Sequence, residues 1–151
     1  MPRPVFWRGG HTFHRCFYHI VFVPKYRRPV LKPQLARRLT ELFYDCCRQN
    51  RWYIHELAIQ TDHVHLLIQL PAKVPPPRAV QYLKGGTSKI IRQEFPELQE
   101  FLWGDSLWAD GYFVETVGRA SEATMRTYIK QQWAQDKPSK PRPSGRVVDK
   151  L

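Results

Sequence analysis

The hydrophobic period changes along the chain, and the changes mark its elements. From His63 to Leu70 the chain alternates, with Val64, Leu66 and Ile68 on one side of a strand and His63 and His65 on the other. Trp52 to Gln60 reads as a neighbouring strand, joined to it by a tight Thr61-Asp62 connection. Phe13 to Pro24, rich in aromatic and β-branched residues, reads as an earlier strand, and Leu107 to Val117 as the last, ended by Gly118. Elsewhere the spacing is helical. From Pro33 to Arg51, Leu35, Leu39, Leu42, Phe43 and Cys46 share a side, with arginines and Glu41 opposite. After the proline-rich loop Pro71 to Pro77, Val80, Leu83, Thr87, Ile90 and Ile91 form the apolar side of a second helix ending near Phe95-Pro96. Ser121 is placed to N-cap a last helix that runs to about Gln135.

This order is β-α-β-β-α-β with an added C-terminal helix, which predicts an α+β, ferredoxin-like (RRM-like) antiparallel sheet. Such a sheet has helices on one face and leaves the other available. His63 and His65 belong on the available face, because Val64, Leu66 and Ile68 claim the covered one. Gly85-Gly86 in mid-helix costs about 1 kcal/mol per residue against alanine, so something must compensate; close approach of another backbone would do so. The expected organisation is one domain over 1–135, beginning with a basic arm from Met1 to Thr12. A proline-rich, charged tail follows over 136–151.

Composition narrows the partners. With 24 Lys and Arg against 13 Asp and Glu, the formal charge is +11, which favours a polyanion, nucleic acid being the commonest. A 42% apolar content excludes a disordered chain. Three cysteines, with Cys46 and Cys47 adjacent, make neither a disulfide framework nor a CxxC spacing, so a reducing cytoplasm is expected. No signal peptide or membrane span is visible in the pattern.

Two imidazoles side by side on a strand are half of a divalent-cation site, and Asp62 is placed to orient one of the rings. Tyr128 and Gln132 lie four apart, hence on one helical face beside the apolar stripe Met125, Ile129 and Trp133. A cation-coordinating amide one turn from a phenol would hold both at the same phosphate; Gln131 is the rival if the register shifts by one. A tyrosine can carry a phosphoryl group covalently and preserve the bond energy for rejoining, which a hydrolase using water does not need. Gln81, Lys84, Ser88 and Arg92 form one stripe of the second helix, either a phosphate-tracking surface or a solvated face. Lys25, Arg27 and Arg28, with Tyr26 among them for stacking, form a second basic group. His11, His14, His19 and His55 read as structural or surface residues, and the paired cysteines as helix packing.

With these residues in hand, the chain resembles the single-tyrosine HUH transposases of the smallest bacterial insertion sequences. The resemblance runs from about Tyr18 to Gln132. It rests on Tyr18 to Arg28, Asp62 to Ile68, Leu83 to Ser88, Leu107-Trp108 with Gly111 to Val114, and Thr116 to Gly118 leading to Tyr128-Ile129 and Gln132. It implies His63, His65 and Gln132 as ligands of Mg²⁺ or Mn²⁺ and Tyr128 as the nucleophile. It also implies hairpin-marked single-stranded DNA as substrate, a 5′-phosphotyrosine intermediate, and a homodimer in which Gly118 could hinge the tyrosine helix. Ile129, Lys130 and Gln131 are more basic than the family's acidic-and-amide pattern. Two other readings of the chain are a domesticated relative that processes repetitive palindromic DNA and a non-catalytic RNA-binding module on the same fold.

Overall fold

A computed structural model of the chain describes residues 6–102 and 106–134. The start of the basic arm and the 136–151 tail lie outside the described residues. Strand β3 (Cys16–Phe22) is central, with β5 (His63–Leu70) on one side and β6 (Phe113–Thr116) on the other. Strand β4 (Tyr53–Gln60) pairs with β5 at the far edge, giving the order β4-β5-β3-β6 with every neighbour antiparallel. That is the ferredoxin-like arrangement the element order predicts.

The first helix, α1 (Pro33–Asn50), opens with proline at its first position and closes at Arg51 in the left-handed region. The second, α2 (Pro76–Glu94), also begins on prolines, so the end of the expected loop is its first turn. Both pack on one face of the sheet. Ile20, Phe22, Ile54, Ile59, Val64, Leu66 and Ile68 meet Leu35, Leu39, Phe43, Val80, Leu83 and Ile91 there in one continuous core. Val64, Leu66 and Ile68 thus occupy the side assigned to them.

The structure corrects several expectations. Phe13 to Pro24 is not one strand: β2 (Phe13–His14) pairs instead with β1 (Trp7–Arg8) in a small hairpin, and β3 starts at Cys16. The last strand is shorter than Leu107 to Val117. Trp108 makes only an isolated bridge to Pro24, and Gly111 turns the chain at a φ of 47° before β6 begins. A short helix, α3 (Gln99–Leu102), precedes that segment. The last helix, α4 (Arg119–Ala134), starts directly after Gly118, two residues before the expected cap.

The largest correction concerns the sheet's second face, which is covered rather than open. Helix α4 lies across β4 and reaches β5, and Ile129 is buried with Phe17, Ala58, Leu67 and Val117. The paired glycines also have a different explanation. A Cβ on Gly86 would come within 2.9 Å of the Cys46 side-chain sulfur of α1, whereas one on Gly85 would meet nothing. The close approach is to a side chain, and only one of the two glycines needs it. Among the described residues no helix is long and apolar enough to cross a membrane.

Candidate active site

Alternation along β5 puts His63, His65, Leu67 and Gln69 on the face that α4 covers. His63 and His65 are both buried, with ring centroids 4.7 Å apart and planes at 76°. Each is bonded through Nδ1. For His63 the partner is Asp62 Oδ1 at 2.8 Å, and for His65 it is His19 Nε2 at 3.3 Å. A ring bonded through Nδ1 offers a cation its Nε2. Asp62 is itself held, because its other oxygen lies 3.4 Å from Arg27 Nε. Among the described residues no three His, Cys, Asp or Glu side chains gather into a cation site of their own, so this pair would be completed by a ligand of another kind.

Helix α4 brings a phenol and an amide to the same corner. Ile129 anchors its buried side, and half-buried Met125 packs one turn earlier. The adjoining stripe then faces the histidines. Tyr128 sets its ring edge-on to His65, centroids 5.8 Å apart, while remaining 39% exposed. Gln60, directly across the ladder from His63, donates from Nε2 to the Gln132 backbone carbonyl and to Gln132 Oε1, the latter at 3.1 Å. The Gln60 Oε1 atom is buried without a hydrogen-bond partner among the described residues. Gln131 is exposed, so Gln132 is the amide that meets the site, and the register is the one expected. Tyr128, Gln132, His63 and His65 therefore converge within a single chain.

Polar bonds hold the helix beside this small apolar contact. Arg126 donates to the His55 carbonyl at 3.2 Å and lies 3.4 Å from Glu56, which Lys130 approaches to 3.5 Å. Lys130, one of the residues that departs from the family pattern, thus has a local acidic partner. His55 bonds Gln69 at 3.0 Å and packs on Phe17, a structural role as expected.

The basic groups divide. Lys25 to Arg27 form one 3₁₀ turn, with Tyr26 and Arg27 at φ 60° and 51°, conformations that cost non-glycine residues energy. This turn leaves Tyr26 half exposed beside Lys25, with Arg28 following, while Arg27 is drawn to Asp62 at the site. On α2, Lys84 and Ser88 are engaged by protein. Lys84 donates to the carbonyls of Ala109 and Gly111 at 2.7 and 2.9 Å, and Ser88 Oγ accepts from the Leu107 amide. Burial lowers the Lys84 pKa, with Asp110 opposing. Both residues tie down the segment before β6. Arg92 is half-buried one turn further along the same stripe.

Sequence reasoning missed His19, which was read as structural or surface. It lies on β3 on the same face as Phe17 and Val21, bonds His65 through Nε2, and meets Glu115 Oε1 through Nδ1 at 3.2 Å. Burial lowers its pKa, and Glu115 partly opposes the shift. The signal was present in alternation, since Ile20 and Phe22 claim the core side and leave His19 to the histidine face.

Known proteins resemble this chain over most of its length. A family model described as "Transposase IS200 like" matches residues 12–132. The transposase for insertion sequence element IS200 of Salmonella typhimurium is 35% identical over 128 residues, covering 85% of this chain and 84% of that protein. The ISDra2 transposase TnpA of Deinococcus radiodurans is 33% identical over 125 residues, covering 83% and 89%. A crystal structure of a transposase candidate from D. radiodurans superposes with a TM-score of 0.69 at 31% identity, over 83% of this chain and 97% of that one. A REP-associated tyrosine transposase bound to a REP hairpin shares the fold, with a TM-score of 0.58 at 12% identity over 84% and 75%.

Proposed function

This chain belongs to the IS200-like transposase family, and from the site it carries we propose that it cuts and rejoins single-stranded DNA at hairpin-marked ends through a 5′-phosphotyrosine on Tyr128. The observation that carries this reading is the meeting of Tyr128 with His65, and of Gln132 with Gln60 beside His63, in one covered but accessible corner.

The residues fit a divalent ion. Two imidazoles oriented through Nδ1, an amide oxygen, and a buried Gln60 oxygen with no partner among the described residues make a mixed nitrogen and oxygen donor set. A Mg²⁺ or Mn²⁺ ion held by His63, His65 and Gln132 would polarise the scissile phosphate and offset charge building on its oxygens. Asp62 fixes the His63 ring, and Gln60 fixes the Gln132 side chain. The Tyr128 hydroxyl attacks phosphorus, and its proton passes to the water that reaches this part-exposed ring. The bond from phosphorus to the 3′-oxygen breaks; that oxygen takes up a proton and leaves as a 3′-hydroxyl. Attack by a 3′-hydroxyl on the phosphotyrosine reverses the step, so rejoining needs no added energy source. Lys25, Tyr26 and Arg28, on the turn that Arg27 links to Asp62, suit the backbone and bases of the bound strand. A second copy of the chain is the further partner this reading takes, and sedimentation gives its mass directly.

Incubation with hairpin-ended single-stranded DNA and Mg²⁺ or Mn²⁺ is expected to give a covalent adduct with the wild type and none with Tyr128→Phe. His63→Ala is expected to keep hairpin binding and lose cleavage. An adduct on Tyr128→Phe, or cleavage retained by His63→Ala, would overturn the assignment.

A further inference from the structure

The two histidines of the site are supported differently, and only one support was visible beforehand. Asp62, next in sequence, holds His63. His65 is held from another strand: His19 stands opposite Leu67 in the ladder, so it reaches His65 along the diagonal. Their rings are nearly parallel, 7° between planes and 5.5 Å between centroids. Behind His19, Glu115 projects from the edge strand β6 and is 45% exposed.

We propose that His19, backed by Glu115, is the positioning residue that fixes the tautomer and ring angle of His65 for cation binding. The proposal rests on the reading of His63 and His65 as ligands. Its direction follows from donor and acceptor chemistry. A carboxylate only accepts, so His19 donates its Nδ1–H to Glu115, and in that tautomer its Nε2 accepts the Nδ1–H of His65. The chain of bonds Glu115, His19, His65 thereby keeps the His65 proton on Nδ1 and its lone pair on Nε2. Packing alone does not call for a histidine at this position. The neighbours of His19 on the same face of β3 are Phe17 and Val21, and a buried imidazole costs stability that an aliphatic residue would not.

The test measures Mn²⁺ binding to the full chain without DNA, by calorimetry or by the resonance of free Mn²⁺, beside metal-free hairpin binding and thermal melting. His19→Phe keeps the ring volume and removes the acceptor. It is expected to weaken Mn²⁺ binding about 10-fold or more, as loss of an orienting partner does elsewhere, with hairpin binding unchanged. His19→Gln restores an acceptor near the Nε2 position and is expected to recover most of that loss. Glu115→Ala, at an exposed edge where folding is not at risk, is expected to weaken Mn²⁺ binding by a smaller factor. Wild-type Mn²⁺ affinity in His19→Phe, equal loss in His19→Phe and His19→Gln, or no effect of Glu115→Ala would overturn the proposal. His65→Ala separates the two readings. If it binds Mn²⁺ like the wild type, the ligand assignment itself fails; if it loses binding while His19→Phe does not, only the positioning role fails.

Discussion

Replacing Ile129 with alanine should release helix α4 while leaving the rest of the fold in place. Ile129 is fully buried, and among the described residues it is the one buried side chain of α4 in the small cluster with Phe17, Ala58, Leu67 and Val117, with Met125 packed against it. The change removes three carbons, about 2.4 kcal/mol at roughly 0.8 kcal/mol per buried carbon. The residual cavity adds little, because half-buried Met125 can move into a site near the surface. A loss of about 2.5 kcal/mol corresponds to roughly a 70-fold rise in the opening equilibrium of α4. Hydrogen exchange read by mass spectrometry should show this rise in peptides covering 119–134, with those from β5 and α1 unchanged. Leu39→Ala, deep in the main core, should instead raise exchange throughout. Because Tyr128 rides on α4, adduct formation should fall with the docked population. Unchanged exchange in α4, or an equal rise across β5 and α1, would refute the idea that this helix opens by itself.

Three further outcomes follow from the same packing. Gly85→Ala should stabilise the fold by about 1 kcal/mol in urea titration, since helix propensity improves and nothing lies near the new methyl. Gly86→Ala should gain less because of Cys46 Sγ, and the difference should vanish in the Cys46→Ala background; identical gains for both glycines would contradict the contact. Thr87→Val should cost about 1–3 kcal/mol, because the buried Trp108 indole N–H donates to Thr87 Oγ1 at 3.0 Å and would be left unpaired. An unshifted urea midpoint would count against that bond. Burial, with Cys46 adding, pushes the Cys47 thiol up to about 12, so iodoacetamide near pH 8 should alkylate it last of the three cysteines in the native protein.

What the sequence made legible was what periodicity encodes. Alternation in His63 to Leu70 separates histidines from aliphatic residues one position at a time, and the structure keeps that separation. The four-residue spacing of Tyr128 and Gln132 likewise survives, because a helix fixes it whatever the helix packs against. Illegible was anything set by long-range docking. The second sheet face looked open because α4, with few large apolar residues, gives only a weak signal of burial. His19 was passed over because its significance lies in register: a diagonal from β3 to β5 is a property of strand pairing, which no local window contains. Lys84 and Ser88 could be read as a surface stripe because their partners are backbone atoms of a distant segment, Ala109 and Gly111 for Lys84 and Leu107 for Ser88. Gly85-Gly86 was read as one feature although only Gly86 faces α1.

The composition of the α4 interface bears on how the nucleophile is delivered. A helix held by a broad apolar face would fix Tyr128 rigidly, and one with no such face would not dock. Here, among the described residues, a single fully buried side chain is combined with contacts from Arg126 and Lys130 to Glu56 and from Gln60 to Gln132. Glu56 is mostly buried and meets two cations, so charge complementarity is carried at the seam rather than at the centre of the contact. The two pairs differ in worth: the exposed Lys130 ammonium contributes little and is weakened by salt, whereas the Arg126 pair lies largely out of solvent and is screened less. The docked position of Tyr128 is then an equilibrium property of α4 rather than a fixture of the sheet. Raised salt should shift that equilibrium toward the undocked helix, in the same direction as Ile129→Ala, whereas the histidine pair, fastened to β5 and backed by β3 and Asp62, should stay where it is. One half of the site is therefore built into the sheet, and the other is brought to it by a helix that docks through its own separate contacts.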